Sequence, residues 1–357
     1  MSNKLDLNDV EDLKLSSQYL DLLSERVNGR AIACSDDWFA SCENLVKSGR
    51  GVFEPATFVS TGQVMDGWES RRSFARHYRR AAGAEQRDWC VLRMGLAGRI
   101  RYFDIDTNHF RGNAPERVMV EATKLDGELD GEPDENTVWT TLLESHAVDA
   151  HSQNVFSCDN SDTWTHLKLS MFPDGGIARF RAYGEVVPNP KHYVDGELID
   201  LASVAIGARG VAASDMFYSS PQNLTLPNRG VNMGDGWETK RRRDKDNDWA
   251  IIELGLKGSI QKVVIDTAHF KGNFPDTASL SAINADEFKL SAEGLLDSDL
   301  EWQTIIEETP LFADKEHLFI SEINIPSDAE FTHVKLNIYP DGGVSRLRVF
   351  GKANWDS

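Results

Sequence analysis

The chain has 357 residues, enough for two domains of common size, and carries a formal net charge of -19 with a pI near 4.9. That balance argues against a nucleic-acid binder, which shows a basic footprint, and against docking on anionic membranes. It still admits an anionic small substrate, because a few arginines dominate the field inside a pocket.

No apolar run is long enough to span a bilayer. The N-terminus lacks the basic-then-apolar layout of a signal peptide, so a cytoplasmic protein is expected. The first predicted element is a short helix over about 15–27, Ser16 through Val27, with Leu20, Leu23 and Val27 on one face. Beyond it the pattern is strand and turn. Cys34, Cys42, Cys90 and Cys158 all fall in the first half without a Cys-x-x-Cys pair, and they read as free thiols. Asp66-Gly67-Trp68-Glu69 marks a turn followed by Arg71 and Arg72; with Arg79 and Arg80 these include solvated charges. Arg99 to Asp106 alternates polar and apolar residues, as a half-buried strand does. The acidic, glycine-bearing stretch from Glu128 to Glu135 reads as an exposed loop. Thr165–Met171 and Ile177–Tyr183 alternate as well, and Pro173-Asp174-Gly175-Gly176 between them has turn chemistry, so this region predicts a hairpin. Val186 to His192 contains two prolines and reads as a linker, which sets domains at 1–187 and 188–357.

The second domain repeats the first. Asp104-Ile105-Asp106-Thr107-Asn108-His109-Phe110-Arg111-Gly112-Asn113 returns as Val264-Ile265-Asp266-Thr267-Ala268-His269-Phe270-Lys271-Gly272-Asn273. Asp66-Gly67-Trp68-Glu69 returns as Asp235-Gly236-Trp237-Glu238, and Pro173-Asp174-Gly175-Gly176 returns as Pro340-Asp341-Gly342-Gly343. The offset stays between about 160 and 180 residues and changes only where loops differ in length. So long a period means a duplicated domain, not a solenoid unit. Many short strands with Gly/Pro/Asp turns predict an all-β protein, a β-sandwich or jelly roll in each half.

These doubled motifs resemble the allantoicase (allantoate amidinohydrolase) family over nearly the whole chain, from about Asp21 to Gly351. The resemblance implies two tandem homologous jelly-roll domains like galactose-binding modules. It also implies hydrolysis of allantoate to ureidoglycolate and urea in purine breakdown, and assembly into a homo-oligomer. Against the first copy, the second has Thr239-Lys240 for Ser70-Arg71 and Lys271 for Arg111, which suggests divergent roles.

Cleaving a ureido group from allantoate needs a cation for its carboxylate, proton-transfer groups and amide-recognising side chains. A bidentate arginine is the best carboxylate receptor, and histidine or a carboxyl of raised pKa suits proton transfer near neutral pH. The catalytic candidates are therefore His109 and Glu69 with their counterparts His269 and Glu238. The substrate-binding candidates are Arg72, Arg111 and Asn113, with Arg241, Lys271 and Asn273 in the second copy. Plainer roles compete: Asp66 and Asp235 as turn caps, Trp68 and Trp237 as core, His166 and His333 as structural, and Asp106 and Asp266 as caps at a strand end. There is no His-Glu-x-x-His, Cys cluster or EF-hand pattern, so no residue is assigned to a metal and no cofactor is expected. A divalent metal stays open, and a loop carrying Asp36 or Asp215 is where a structural calcium would fit. The alternatives in function are a tandem carbohydrate-binding protein and an inactive paralogue.

Overall fold

The computed structural model describes residues 3–5, 15–72, 85–125, 131–288, 294–296 and 300–356. Arg79 and Arg80 lie outside them, as do residues 128–130 of the acidic loop; the rest of that loop is mostly exposed. The chain divides into two compact units, Met1–Val187 and Pro188–Ser357. Among the described residues no helix is long and apolar enough to cross a membrane.

Each unit is built around one long strand that serves two layers. In the first unit this is Asp88–Asp106. Its first part pairs with Trp164–Phe172 on one side and Arg30–Cys34 on the other. Its second part pairs with Arg179–Val186 and Gln153–Ser157. Arg117–Thr123 and Thr140–Ala147 extend the first layer beyond Trp164–Phe172, and Leu20–Asp21 edges the second. The second unit repeats this with Asp248–Asp266 at the centre, flanked by Glu330–Tyr339 and Arg209–Ala213, then by Arg346–Ala353 and Glu316–Phe319.

The strand passes between layers at a repeated glycine. A Cβ on Gly98 would lie 2.3 Å from the Glu185 carbonyl, and one on Gly258 2.3 Å from that of Lys352. Only glycine lets the neighbouring backbone come so close. In the second unit, Ile252, Leu280 and Leu336 from one layer and Val263, Ile265 and Leu347 from the other belong to one buried cluster, the core of a sandwich.

Two local expectations are corrected. The helix over Ser16 to Val27 is instead a helical turn Leu15–Gln18, a short strand Leu20–Asp21 and a 3-10 turn Glu25–Val27. Asp21 pairs with Tyr183 in the sheet and holds Arg181 at 2.9 Å. Sheet pairing and that ion pair outweigh the weak helical preference of so short a segment. Leu22, Leu23 and Val27 are still buried. The expected hairpin does not form either. Trp164–Phe172 and Arg179–Val186 both flank the long strand, in different layers, because Gly176–Ile177 pairs with Trp68–Glu69 and redirects the chain. The turn itself is present, with Gly175 at φ 143° and Gly342 at φ 134°.

Candidate active site

The repeated motifs meet because one phenylalanine needs all of them. Phe110, just past the end of the long strand, is fully buried. A Cβ on Gly176 would lie 2.0 Å from its ring and one on Gly67 2.8 Å. Gly343 and Gly236 close on Phe270 in the same way, at 1.9 and 2.8 Å. Trp68 and Trp237 are core residues, each giving its indole N–H to a backbone carbonyl, of Asp36 and Asp215 respectively, at 2.9 Å. The polar neighbours of these aromatics are thereby drawn together.

Glu69 sits on a two-residue strand held by Ala40 on one side and Gly176 on the other. Asn113 Nδ2 donates to Glu69 Oε1 at 2.7 Å. Burial pushes the Glu69 carboxyl above its usual range, against the opposing pull of the Asn113 hydrogen bond and the Arg72 charge. Arg72 donates to Asp174 Oδ1 at 3.1 Å and to the Gly112 carbonyl at 2.9 Å. Three residues singled out in the sequence, Glu69, Arg72 and Asn113, thus stand in one cluster.

His109 and Arg111 form a second group. His109 has φ 71°, which few non-glycine residues adopt. Its Nε2 donates to the Gly51 carbonyl at 3.1 Å, so Nδ1 is the nitrogen left for proton exchange. Its amide donates to His151 Nδ1 at 2.9 Å. Arg111 Nη2 donates to the other ring nitrogen, His151 Nε2, at 2.8 Å. The guanidinium thus meets an imidazole and no carboxylate in this contact, and its remaining N–H groups suit an anion. His151 gave no sequence signal, being a single histidine outside the doubled motifs.

In the second unit Asn273 Nδ2 donates to Glu238 Oε1 at 2.5 Å, and His269, again at φ 71°, donates from Nε2 to the Gly230 carbonyl at 2.7 Å. The anion position differs. Asp314 replaces His151: it accepts the His269 amide at 2.7 Å and lies 3.9 Å from Lys271 Nζ. A carboxylate of the protein already occupies that place. Arg241 is exposed; its neighbour Arg242 binds Asp248 at 2.7 Å and gives its amide to Asp341.

Other candidates resolve into supports. Asp106 caps the Asn108 amide and pairs with Arg50, and Asp266 does the same with Ala268 and Arg229. Asp66 and Asp235 hold the buried Arg179 and Arg346 at 2.7 and 2.9 Å. His166 and His333 are buried in strands. In the loops carrying Asp36 and Asp215, N–H donors reach both carboxylates. Asp36 receives the Arg71 guanidinium and the amides of Arg71 and Trp38, and Asp215 the amides of Phe217 and Lys240.

The family model of the allantoicase repeat matches residues 20–187 and again 199–354. The chain belongs to the allantoicase family. Allantoicase of Dictyostelium discoideum is 40% identical over 342 residues, 93% of this chain and 87% of that protein. Probable allantoicase 1 of Burkholderia mallei (strain ATCC 23344) is 40% identical over 347 residues, 97% and 98% of the two chains. The crystal structure of allantoicase from Saccharomyces cerevisiae matches with a TM-score of 0.79 at 35% identity, over 98% of this chain and all of that one. The expectation of an all-β chain made of two tandem allantoicase repeats therefore holds.

Proposed function

We infer that this chain hydrolyses allantoate: one molecule of allantoate and one of water give ureidoglycolate and urea. We further propose that the first unit carries the chemistry. The observation behind this is the exchange of His151 for Asp314. Arg111 meets an imidazole in the first unit, whereas the second supplies its own carboxylate to Lys271. An anionic substrate is welcome at the first and repelled at the second.

In this reading Arg111, held by His151, takes the allantoate carboxylate, with Arg72 as a further cation. Asn113 addresses a ureido group. As urea leaves, its nitrogen gains a proton, the carbon–nitrogen bond breaks, and the carbon accepts water that has lost a proton. Glu69 in its ionised form takes the proton from water, and His109 exchanges the other through Nδ1. His269, Glu238, Arg241, Lys271 and Asn273 then serve the fold of the second unit. The family resemblance supports a homo-oligomer, and the four free thiols support a cytoplasmic setting.

The test is urea release. Purified protein given allantoate should yield urea and ureidoglycolate in equal amounts, and a chelator arm decides whether a divalent metal takes part. Tight binding of allantoate with no urea released would overturn the hydrolase reading.

A further inference from the structure

The first unit contains a thiol cluster that the second does without. Cys34 ends the strand Arg30–Cys34, Cys42 opens the 3-10 turn Cys42–Val46, and Asp37 lies on the loop between them. One ligand atom from each lies within 4.8 Å of the other two. Cys42 is buried, Cys34 half-buried and Asp37 exposed, so the cluster opens to solvent on one side. The aligned positions in the second unit, counted from Ser35/Ser214 and Ser41/Ser220, are Ala213, Met216 and Pro221. That unit builds the same strand, Arg209–Ala213, and the same 3-10 turn, Pro221–Thr225. The duplicate acts as an internal control: the fold does not require two thiols and a carboxylate here.

Their chemistry points to a cation. In a tetrahedral site with metal–sulfur distances of about 2.3 Å and metal–oxygen distances of about 2.1 Å, ligand atoms stand roughly 3.5–3.8 Å apart, within the observed spacing. Thiolates select soft or borderline metals over calcium and magnesium. A divalent cation bound there would hold both sulfurs as thiolates and release their protons.

We propose that Cys34, Asp37 and Cys42 form a site for a thiophilic divalent cation of the zinc class, with a fourth position open to solvent. The site joins both ends of the loop 35–41. That loop carries Ala40, whose N–H and C=O pair with the backbone of Glu69, and Asp36, which holds Arg71. A cation here clips the segment that flanks the proposed acid–base residue. The inference concerns residues outside the allantoate chemistry and stands or falls separately from it.

The experiment uses the full chain, reduced and freed of metal by a chelator, titrated with Cd²⁺ as a spectroscopic substitute for Zn²⁺. A thiolate-to-cadmium ultraviolet band should grow and saturate at one ion per chain, and Zn²⁺ should displace it. Cys34→Ala, which installs the residue of the second unit, should weaken binding by roughly 100-fold or more. Asp37→Asn, an exposed change that spares the fold, should weaken it by roughly 10-fold or more. Cys158→Ser should leave it unchanged. Melting curves confirm that each variant is folded. No band at stoichiometric Cd²⁺, or a band that keeps its affinity in folded Cys34→Ala, would overturn the proposal.

Discussion

Asn113 Nδ2 lies 2.7 Å from Glu69 Oε1, and the second unit repeats the contact between Asn273 and Glu238. A neutral amide donor on a half-buried carboxylate favours its ionised form, while burial opposes it. The same pair thus fixes where Glu69 points and sets how readily it gives up its proton.

Glu69→Gln should lower kcat/KM by about 10²–10⁴, the usual contribution of a positioned proton-transfer group. Glu238→Gln should change it by no more than about two-fold, a surface-scale effect. Steady-state urea release measures both, and equal losses would mean that the two units share the chemistry.

The pH profile follows from the sign of the shift. Glu69 acts ionised and burial holds its pKa above the ordinary 4.5, so kcat/KM should fall on the acid side with an inflection above 4.5. Asn113→Ala removes a contact that lowers the pKa and should move this limb to higher pH. A limb that stays in place would detach Glu69 from the proton transfer.

Arg111→Lys combined with His151→Asp copies the second unit into the first. Losing charge-assisted bonds worth about 1.5–3 kcal/mol should weaken allantoate binding by roughly 10- to 150-fold. Calorimetric titration with allantoate reads the loss directly. Unchanged affinity would place the carboxylate elsewhere.

Gly176→Ala should destabilise the first unit by about 1–3 kcal/mol, because the new methyl group meets the Phe110 ring at 2.0 Å. Adding Phe110→Leu should cost less than the sum of the single changes. Chemical denaturation of the four members of this cycle tests whether turn and ring form one packing unit.

Burial pushes His166 down to about 4, below its ordinary 6.5, so the folded unit keeps it neutral while the unfolded chain protonates it. Its contribution is intact above pH 6.5 and is lost as pH falls toward about 4. Between those values it adds a slope approaching about 1.4 kcal/mol per pH unit. His166→Gln should flatten the pH dependence of unfolding in that window, and an unchanged slope would show that the ring is already charged in the fold.

Much of this was legible because duplication marked it. Polar residues kept in both copies pointed to Glu69 and Asn113, and their contact confirms that they are neighbours. The long strand was legible only over Arg99–Asp106. Its first part is buried on both sides at most positions and so shows no alternation. The hairpin failed for another reason. Turn residues encode a reversal of direction, but not which strand the chain joins afterward, and Gly176–Ile177 joins Trp68–Glu69. His151 was invisible because its meaning depends on a partner 40 residues away in sequence, Arg111.

The strand Asp88–Asp106 is stitched into both layers of its unit, with neighbours up to 88 residues away in sequence, as Gly98 and Val186 are. Neither layer can peel off while the other stays intact, since both would have to release the same backbone. Each unit should therefore come apart in a single all-or-none step, and it should assemble slowly, because most of its pairings wait on the closure of long loops. What duplication gave this chain is two such units, each of which must find its central strand before either half of its sandwich can exist.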